Sequence, residues 1–252
     1  MGESAATAAL LFLAGLGAGW IDSIAGGGGL ITVPVLLAIG LPPQAALGTN
    51  KLQACFGSFT AAHHYTHEQV VNLEDARLGI LLTAIGAVLG SWSVQQIDPA
   101  VLKIVIPFLL ILIALYMLFT PQVGEREVLP RIRRSAFYLV FGVGLGFYDG
   151  FFGPGVGSFW AIAMVVGLGF GLRRATGYTK VMNLTSNVVS FVVFLIGGHI
   201  VWAAGLTMAA GQIVGARIGS GLVIRRGVRF IRPIYIGVVI LTTVKLLYDQ
   251  LV

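Results

Sequence analysis

Hydrophobic residues run along this chain in ten blocks, at 5–22, 28–41, 45–65, 77–97, 101–119, 135–150, 154–171, 175–197, 200–222 and 231–249, with short polar breaks between them. Most have the length of membrane-crossing helices, for which about 20 apolar residues suffice. Two regions are too short. Val156 to Gly171 is 16 residues, about 24 Å at the helical rise against a hydrocarbon core of about 30 Å, and Leu30 to Leu41 is shorter still. Each follows a break that combines an acid with several glycines: "IDSIAGGGGL" at 21–30 and "YDGFFGPG" at 148–155. The pattern predicts an all-α polytopic membrane protein with about eight to ten membrane segments. Its glycine-rich segments are either re-entrant hairpins or full crossings by tilted, broken helices.

The blocks repeat. Gly15, Gly17 and Gly19 precede Asp22 as Gly142, Gly144 and Gly146 precede Asp149. Lys51 matches Lys180, Gly86 and Gly90 match Gly215 and Gly219, Ser91 matches Ser220, and Lys103 matches Arg232. One register holds from the lysines onward, and it differs only slightly from the register that aligns the two acids. So small a drift across a whole half is a poor fit to chance. The polar stretch from Thr120 to Arg134 separates the copies, giving a first membrane repeat at 1–120, a linker at 121–134 and a second repeat at 135–252.

Lys and Arg favour cytoplasmic loops. Here they gather in the linker, at Arg77, at Arg173 and Arg174, and at Arg225, Arg226, Arg229 and Arg232, whereas 41–44 and 197–199 carry none. Equivalent loops of the two copies therefore differ in charge character, as an odd number of crossings per copy would produce. The expectation is two homologous halves arranged as inverted repeats, with a cytoplasmic linker, both termini outside, and a site near the midplane where the halves meet.

Composition narrows the function. The 252 residues are 57% hydrophobic and 10% charged, against about 25% charged in soluble domains. The net charge of +6 and pI of 9.8 would suit nucleic acid if the basic residues clustered; instead they punctuate the apolar blocks, so no nucleic-acid partner is expected. The lone Cys55 permits no intrachain disulfide. His63, His64 and His67 lack carboxylate or cysteine partners at ligand spacing, so they read as an interface cluster rather than a metal site. The glycines at 26–29 sit in no strand-turn-helix unit and no Walker-type motif is present, so no cofactor is expected. No nucleophile–base pattern qualifies, so neither catalytic residues nor an enzyme is expected. Met1-Gly2-Glu3-Ser4 lacks a basic region before the first block, which is therefore expected to be retained.

The candidate chemistry lies in the breaks. Non-helical backbone within a membrane must be buried in protein or line a cavity. Glycines leave amides accessible there, and a helix starting beyond them offers unpaired N–H groups to an anion. The tips of inverted halves would approach one another and form a polar site. Charges inside a membrane face a cavity or a partner, which singles out Asp22, Asp149, Lys51 and Lys180. Two readings stay open: Asp–Lys pairs that pin the hairpins, or lysines that attract an anion. The candidate substrate-binding set is Gly26, Gly27, Gly28, Gly29, Thr49, Asn50, Lys51, Gly153, Gly155, Thr179, Lys180 and Asn183, with Asp22 and Asp149 as coupling or structural charges. Gln53, Ser58, Thr185, Ser186 and Asn187 serve equally well as polar links between helices. Gly86-x-x-x-Gly90 and Gly211-x-x-x-Gly215-x-x-x-Gly219 suit close helix contact.

Taken together, "DSIAGGGGLITVP", "GTNKLQACFGSFTAA", "GFYDGFFGPGVGSF", "TKVMNLTSNVVSF" and "GQIVGARIGSGLV" resemble the sulfite exporter TauE/SafE family, also called the toluene-sulfonate uptake permease family, and within it the YfcA-like bacterial inner-membrane branch. The resemblance spans nearly the whole chain. It implies a secondary transporter for sulfite, sulfoacetate, organosulfonates or related anions, in about eight spanning helices; an even four-plus-four split would argue against inversion. The partners implied are a small sulfur oxyanion or organosulfonate and the lipid bilayer, with homo-oligomerisation left open. The rival reading is an anion channel sharing the same pore.

Overall fold

The computed structural model describes residues 5–119 and 127–226. Helices account for the regular structure there, and no strand occurs among the described residues. In order they are α1 (Ala5–Ala25), α2 (Gly29–Ala38), α3 (Pro43–His67), α4 (Leu73–Gln95), α5 (Pro99–Phe119), α6 (Arg134–Phe137), a π-helical turn (Tyr138–Gly142), α7 (Val143–Phe151), α8 (Val156–Leu168), α9 (Leu172–Ile196) and α10 (Trp202–Arg226). The apolar blocks anticipate these elements in sequence. The tenth block at 231–249, with Arg232 and Lys245, and the linker residues 120–126 lie outside the described residues, as does Arg229.

Among the described residues four helices are long and apolar enough to cross a membrane, over Ala5–Ile24, Leu73–Gln95, Leu172–Ile196 and Trp202–Ile224. At 25 residues α3 is as long as α9 but less apolar; both bury polar faces, Thr49, Asn50, Lys51, Gln53 and Ser58 in α3 and Thr179, Lys180, Asn183, Ser186 and Asn187 in α9. Local chemistry sets the helix starts. Pro43 opens α3, where a missing N–H costs nothing. Asn72 caps α4 by accepting the Glu74 amide at 2.9 Å, and Glu74 and Asp75 complement the dipole of its first turn.

At the centre α3 and α9 pack antiparallel. Gly48, early in α3, lies against Phe194 late in α9, while Gly177, early in α9, lies against Tyr65 late in α3. Two tight helix pairs flank them. In the first, Gly215 of α10 lies against Leu16 and Trp20 of α1; in the second, Gly86 of α4 lies against Val143 and Phe147 of α7. A Cβ would fall 2.0 Å from the Leu16 carbonyl oxygen at Gly215, and 2.2 Å from that of Val143 at Gly86. Only glycine lets these backbones meet. The two interfaces are repeats of each other. The sequence match that sets Gly86 against Gly215, and Gly142 to Gly146 against Gly15 to Gly19, carries the Gly86–Val143 contact onto the Gly215–Leu16 contact.

Each short helix folds back beside the helix before it. Leu11 of α1 and Leu36 of α2 share a cluster with Ala46 of α3 and with Ala204 and Met208 of α10. Phe137 of α6 and Leu168 of α8 share another with Tyr65 of α3, Ala175 of α9 and Val223 of α10. Helices α3 and α10 each run from the first cluster to the second, so the clusters mark opposite ends of the bundle. The α1–α2 hairpin thus enters and leaves at one end, and the α6–α8 hairpin at the other.

Basic residues gather at the second end. Arg134 bridges Asp75 at 2.7 Å, Arg174 reaches Asp75 at 3.9 Å and Glu127 at 3.5 Å, and Arg77 pairs with Glu74 at 3.3 Å. The described part of the linker docks there, with the Val128 amide donating to Gly169 and that of Arg131 to Gly167. At the first end Gln44 donates to the Ile97 carbonyl at 2.9 Å, and connections 39–42, 96–98 and 197–201 hold neither Lys nor Arg.

Candidate functional site

The hairpin tips meet in the interior. Gly26, with φ of 73°, stands so close to Gly157 at the start of α8 that a Cβ on it would lie 2.4 Å from the Gly157 Cα. Gly29 lies against Pro154 in the same way, 3.1 Å from its would-be Cβ. Gly153 has φ of 98° and Gly155, capping α8, has 81°; L side chains rarely adopt this region. The glycines therefore serve two ends, the reversals within each hairpin and the close approach between hairpins.

Each tip is tied to the central helix of the other half. Lys51 of α3 donates to Asp149 Oδ1 at 2.6 Å and also to the Asp149 backbone carbonyl. Lys180 of α9 donates to Asp22 Oδ2 at 3.0 Å and to the Asp22 backbone carbonyl. Both ammonium groups thus sit at a helix C-terminus, where unpaired carbonyls and the negative dipole end favour a cation. The pairs are reciprocal: first-half lysine with second-half aspartate, and the converse.

Their surroundings differ. Asp149 also accepts from the Ser186 hydroxyl and its side chain is 3% exposed. Asp22 accepts from the amides of Gly27 and Gly28 at 3.2 and 3.4 Å and its side chain is 23% exposed. A resident carboxylate thus holds two of the amides expected to face a ligand. Each lysine is thus compensated by a carboxylate.

Between the tips lies a small cavity. Of the candidates, Asp22, Gly28, Gly29, Asn50, Lys51, Asp149, Gly153 and Asn183 line it. Gly26, Gly27, Gly155 and Lys180 do not line it. Thr49 faces elsewhere, accepting the Val201 amide at 3.0 Å just before α10. The Thr179 hydroxyl is buried without a hydrogen-bond partner and off the lining. Gln53 and Asn187, weighed as helix links, line the cavity too. So does Gln212 of α10, which sequence reasoning missed. Its signal was present, since a carboxamide inside an apolar Gly-x-x-x-Gly helix needs a polar neighbour.

Carboxamides dominate this lining. Asn50 Oδ1 accepts from Thr32 Oγ1 at 2.5 Å and Gln53 Nε2 at 2.8 Å, and Asn187 Oδ1 lies 3.5 Å from Lys51 Nζ. Gln53 Oε1 and Asn183 Oδ1 are buried with no partner. The free space is about 30 Å³, room for a water or two. The tips are closed on each other, and a larger guest requires them to part. Among the described residues no group of three or more His, Cys, Asp or Glu converges as metal ligands do; His64 Nδ1 instead lies 2.8 Å from Ser220 Oγ.

Comparison with known proteins adds a lineage. The family described as sulfite exporter TauE/SafE matches residues 11–246. A "Probable membrane transporter protein" of Haemophilus influenzae is 46% identical over 96% of this chain and 95% of its own length. "Probable membrane transporter protein YfcA" of Escherichia coli is 46% identical over 96% of this chain and 90% of its own. "Probable membrane transporter protein YunE" of Bacillus subtilis is 23% identical over 95% and 97%. No solved structure matches.

Proposed function

This chain belongs to the sulfite exporter TauE/SafE family, and from that premise we propose that it is a secondary transporter, working as an exporter, of small sulfur-containing anions such as sulfite, sulfoacetate or organosulfonates. It is a multi-pass membrane protein. The observation that carries the reading is the meeting of two hairpin tips, one from each end of the bundle, over a polar cavity. A barrier so built opens to one side when one tip withdraws and to the other when its counterpart does, which is alternating access. The same reading takes the α1–α2 hairpin as re-entrant and α3 to α5 as crossing, which inverts the second half relative to the first across the bilayer.

In this mechanism the cargo displaces the waters between the tips. The carboxamides of Asn50 and Asn183 hold it, while the two Lys–Asp pairs keep each hairpin registered on the opposite half. An inside-negative potential drives an anion outward by about 2.3 kcal/mol per charge for each 100 mV, so export needs no nucleotide. The tight closure favours a carrier over the channel reading, which requires a continuous path. Uptake into proteoliposomes against sulfite, thiosulfate, sulfoacetate and alkylsulfonates tests this. Saturable flux of at least one of them is expected; no flux above protein-free vesicles for any of them would refute it.

A further inference from the structure

We infer that the basic end of the bundle binds an anionic phospholipid, whose headgroup phosphate is received by Arg133, Arg134 and Arg174 beside the docked linker. The inference does not depend on which cargo the central cavity carries. The site is a separate cavity of about 260 Å³ where the linker meets the start of α6, the end of α8 and the start of α9. Those three guanidiniums line it together with one carboxylate, Glu127. Arg174 meets Glu127 at 3.5 Å and Asp75 at 3.9 Å, and Arg134 bridges Asp75 at 2.7 Å. Among the described residues Arg133 has no ion pair, and it is exposed. Two carboxylates thus answer three guanidiniums. The surplus of one positive charge matches the single negative charge of a phosphodiester, and each guanidinium carries more N–H donors than its carboxylate contacts occupy.

The donors are held in place. The Arg174 guanidinium lies 4.3 Å from the centre of the Phe170 ring, a stacking that fixes its plane. The linker is anchored through its backbone: the Val128 amide donates to Gly169, and those of Arg131 and Ile132 donate to Gly167. Gly169, at φ of 68°, admits the Val128 carbonyl so closely that a Cβ would lie 2.2 Å from its oxygen. Helix α9 starts beside the cavity with Gly171 at its cap and no side-chain acceptor there, so its positive dipole end acts in the same sense. Basic residues that only mark the cytoplasmic side need no such concave, rigid setting. Arg77 shows the contrast, with a side chain 77% exposed and paired with Glu74 of its own helix.

Apolar neighbours favour a lipid over a soluble phosphate. Val128 and Ile132 line the same cavity and are exposed, as are Leu139 and Val140 in the π-helical turn that leads from the linker into the second hairpin. A phosphate held by the arginines therefore adjoins uncovered apolar surface on the segment entering the membrane, where acyl chains lie. The excess of Lys and Arg places this end in the cytoplasm, and basic pockets between helices on that side suit anionic headgroups.

The experiment titrates the full-length protein in neutral detergent with dioleoylphosphatidylglycerol and, separately, with dioleoylphosphatidylcholine, and counts retained lipid by native mass spectrometry. Inorganic phosphate and glycerol phosphate are offered in excess as soluble competitors. Arg133→Gln removes the unpaired cation and strands no carboxylate. Arg77→Gln removes an equal charge from the same end outside the cavity, and a thermal melt of each variant checks that it folds. The expected result is saturable retention of phosphatidylglycerol over phosphatidylcholine, undisturbed by either soluble phosphate. Arg133→Gln should weaken it about tenfold, and Arg77→Gln should change it by less than about twofold. Equal retention of the two lipids, equal loss in the two variants, or parental retention by Arg133→Gln would overturn the site. Displacement of the lipid by inorganic phosphate or glycerol phosphate would overturn the lipid as its occupant.

Discussion

Removing the Lys51 ammonium should unsettle the protein far more than removing the whole ion pair. In Lys51→Met the Asp149 carboxylate, 3% exposed, loses a cation at 2.6 Å. At an effective dielectric of about 20 that contact is worth about 6 kcal/mol before desolvation is counted. Breaking a buried pair from one side costs about 3–5 kcal/mol, because the remaining charge stays buried alone. For a protein of this size that corresponds to a fall in Tm of about 6–20 °C. In Lys51→Met/Asp149→Asn neither member of this pair leaves a charge behind and the Ser186 hydroxyl still has an oxygen to donate to, so most of the loss should return. The parallel variant Lys180→Met should cost about half as much, since Asp22 is 23% exposed and keeps the Gly27 and Gly28 amides. The assay is thermal unfolding of detergent-solubilised parent, single and double variants, read as a double-mutant cycle. Strictly additive shifts, or a Lys51→Met protein as stable as the parent, would show that the pair does not hold the tip.

Glycine geometry gives a second prediction: Gly153→Ala places a Cβ 2.7 Å from Lys51 Nζ at φ of 98°, and a loss of about 1–3 kcal/mol is expected, while Gly144→Ala, with nothing within 4 Å, leaves Tm within a degree or so. The α1–α10 contact gives a third. Gly215→Ala forces a Cβ to within 2.0 Å of the Leu16 carbonyl oxygen and should cost about 1–3 kcal/mol, whereas Gly17→Ala in the same pair, facing open space, should not be felt in the same melt. Orientation gives a fourth: with Cys55 replaced, Glu68→Cys should react with an impermeant thiol reagent only from the cytoplasmic face and Gln96→Cys only from the opposite face of intact cells. The reverse pattern would invert the topology.

Much of this architecture is legible in the sequence, for identifiable reasons. Apolar blocks give helices because a membrane demands length and hydrophobicity, and both are local properties. The acid–glycine breaks give the tips because aspartate and consecutive glycines have no other economical use within a bilayer. The pairing of Lys51 with Asp149 rather than with Asp22 is different in kind. Both aspartates stand in equivalent positions, and only the exchange of hairpins between halves, set by the parallel α1–α10 and α4–α7 contacts, decides which one each lysine meets. Thr49 was misleading for a related reason. Its neighbours Asn50 and Lys51 turn toward the cavity, but one helical step of about 100° aims its hydroxyl at the Val201 amide instead. Gln212 went unread because its role depends on Gly57 and Gly19 admitting its side chain oxygen, a fact about three helices at once.

Transport by tips that part alternately around a closed cavity is tested most directly by counterflow. Proteoliposomes loaded with unlabelled sulfite and diluted into a trace of labelled sulfite should accumulate label transiently above its equilibrium level, because each outward passage of unlabelled anion returns an empty or loaded site to the outside. Label that rises monotonically to equilibrium, unaffected by what the vesicles contain, would mean an open pore and would contradict it.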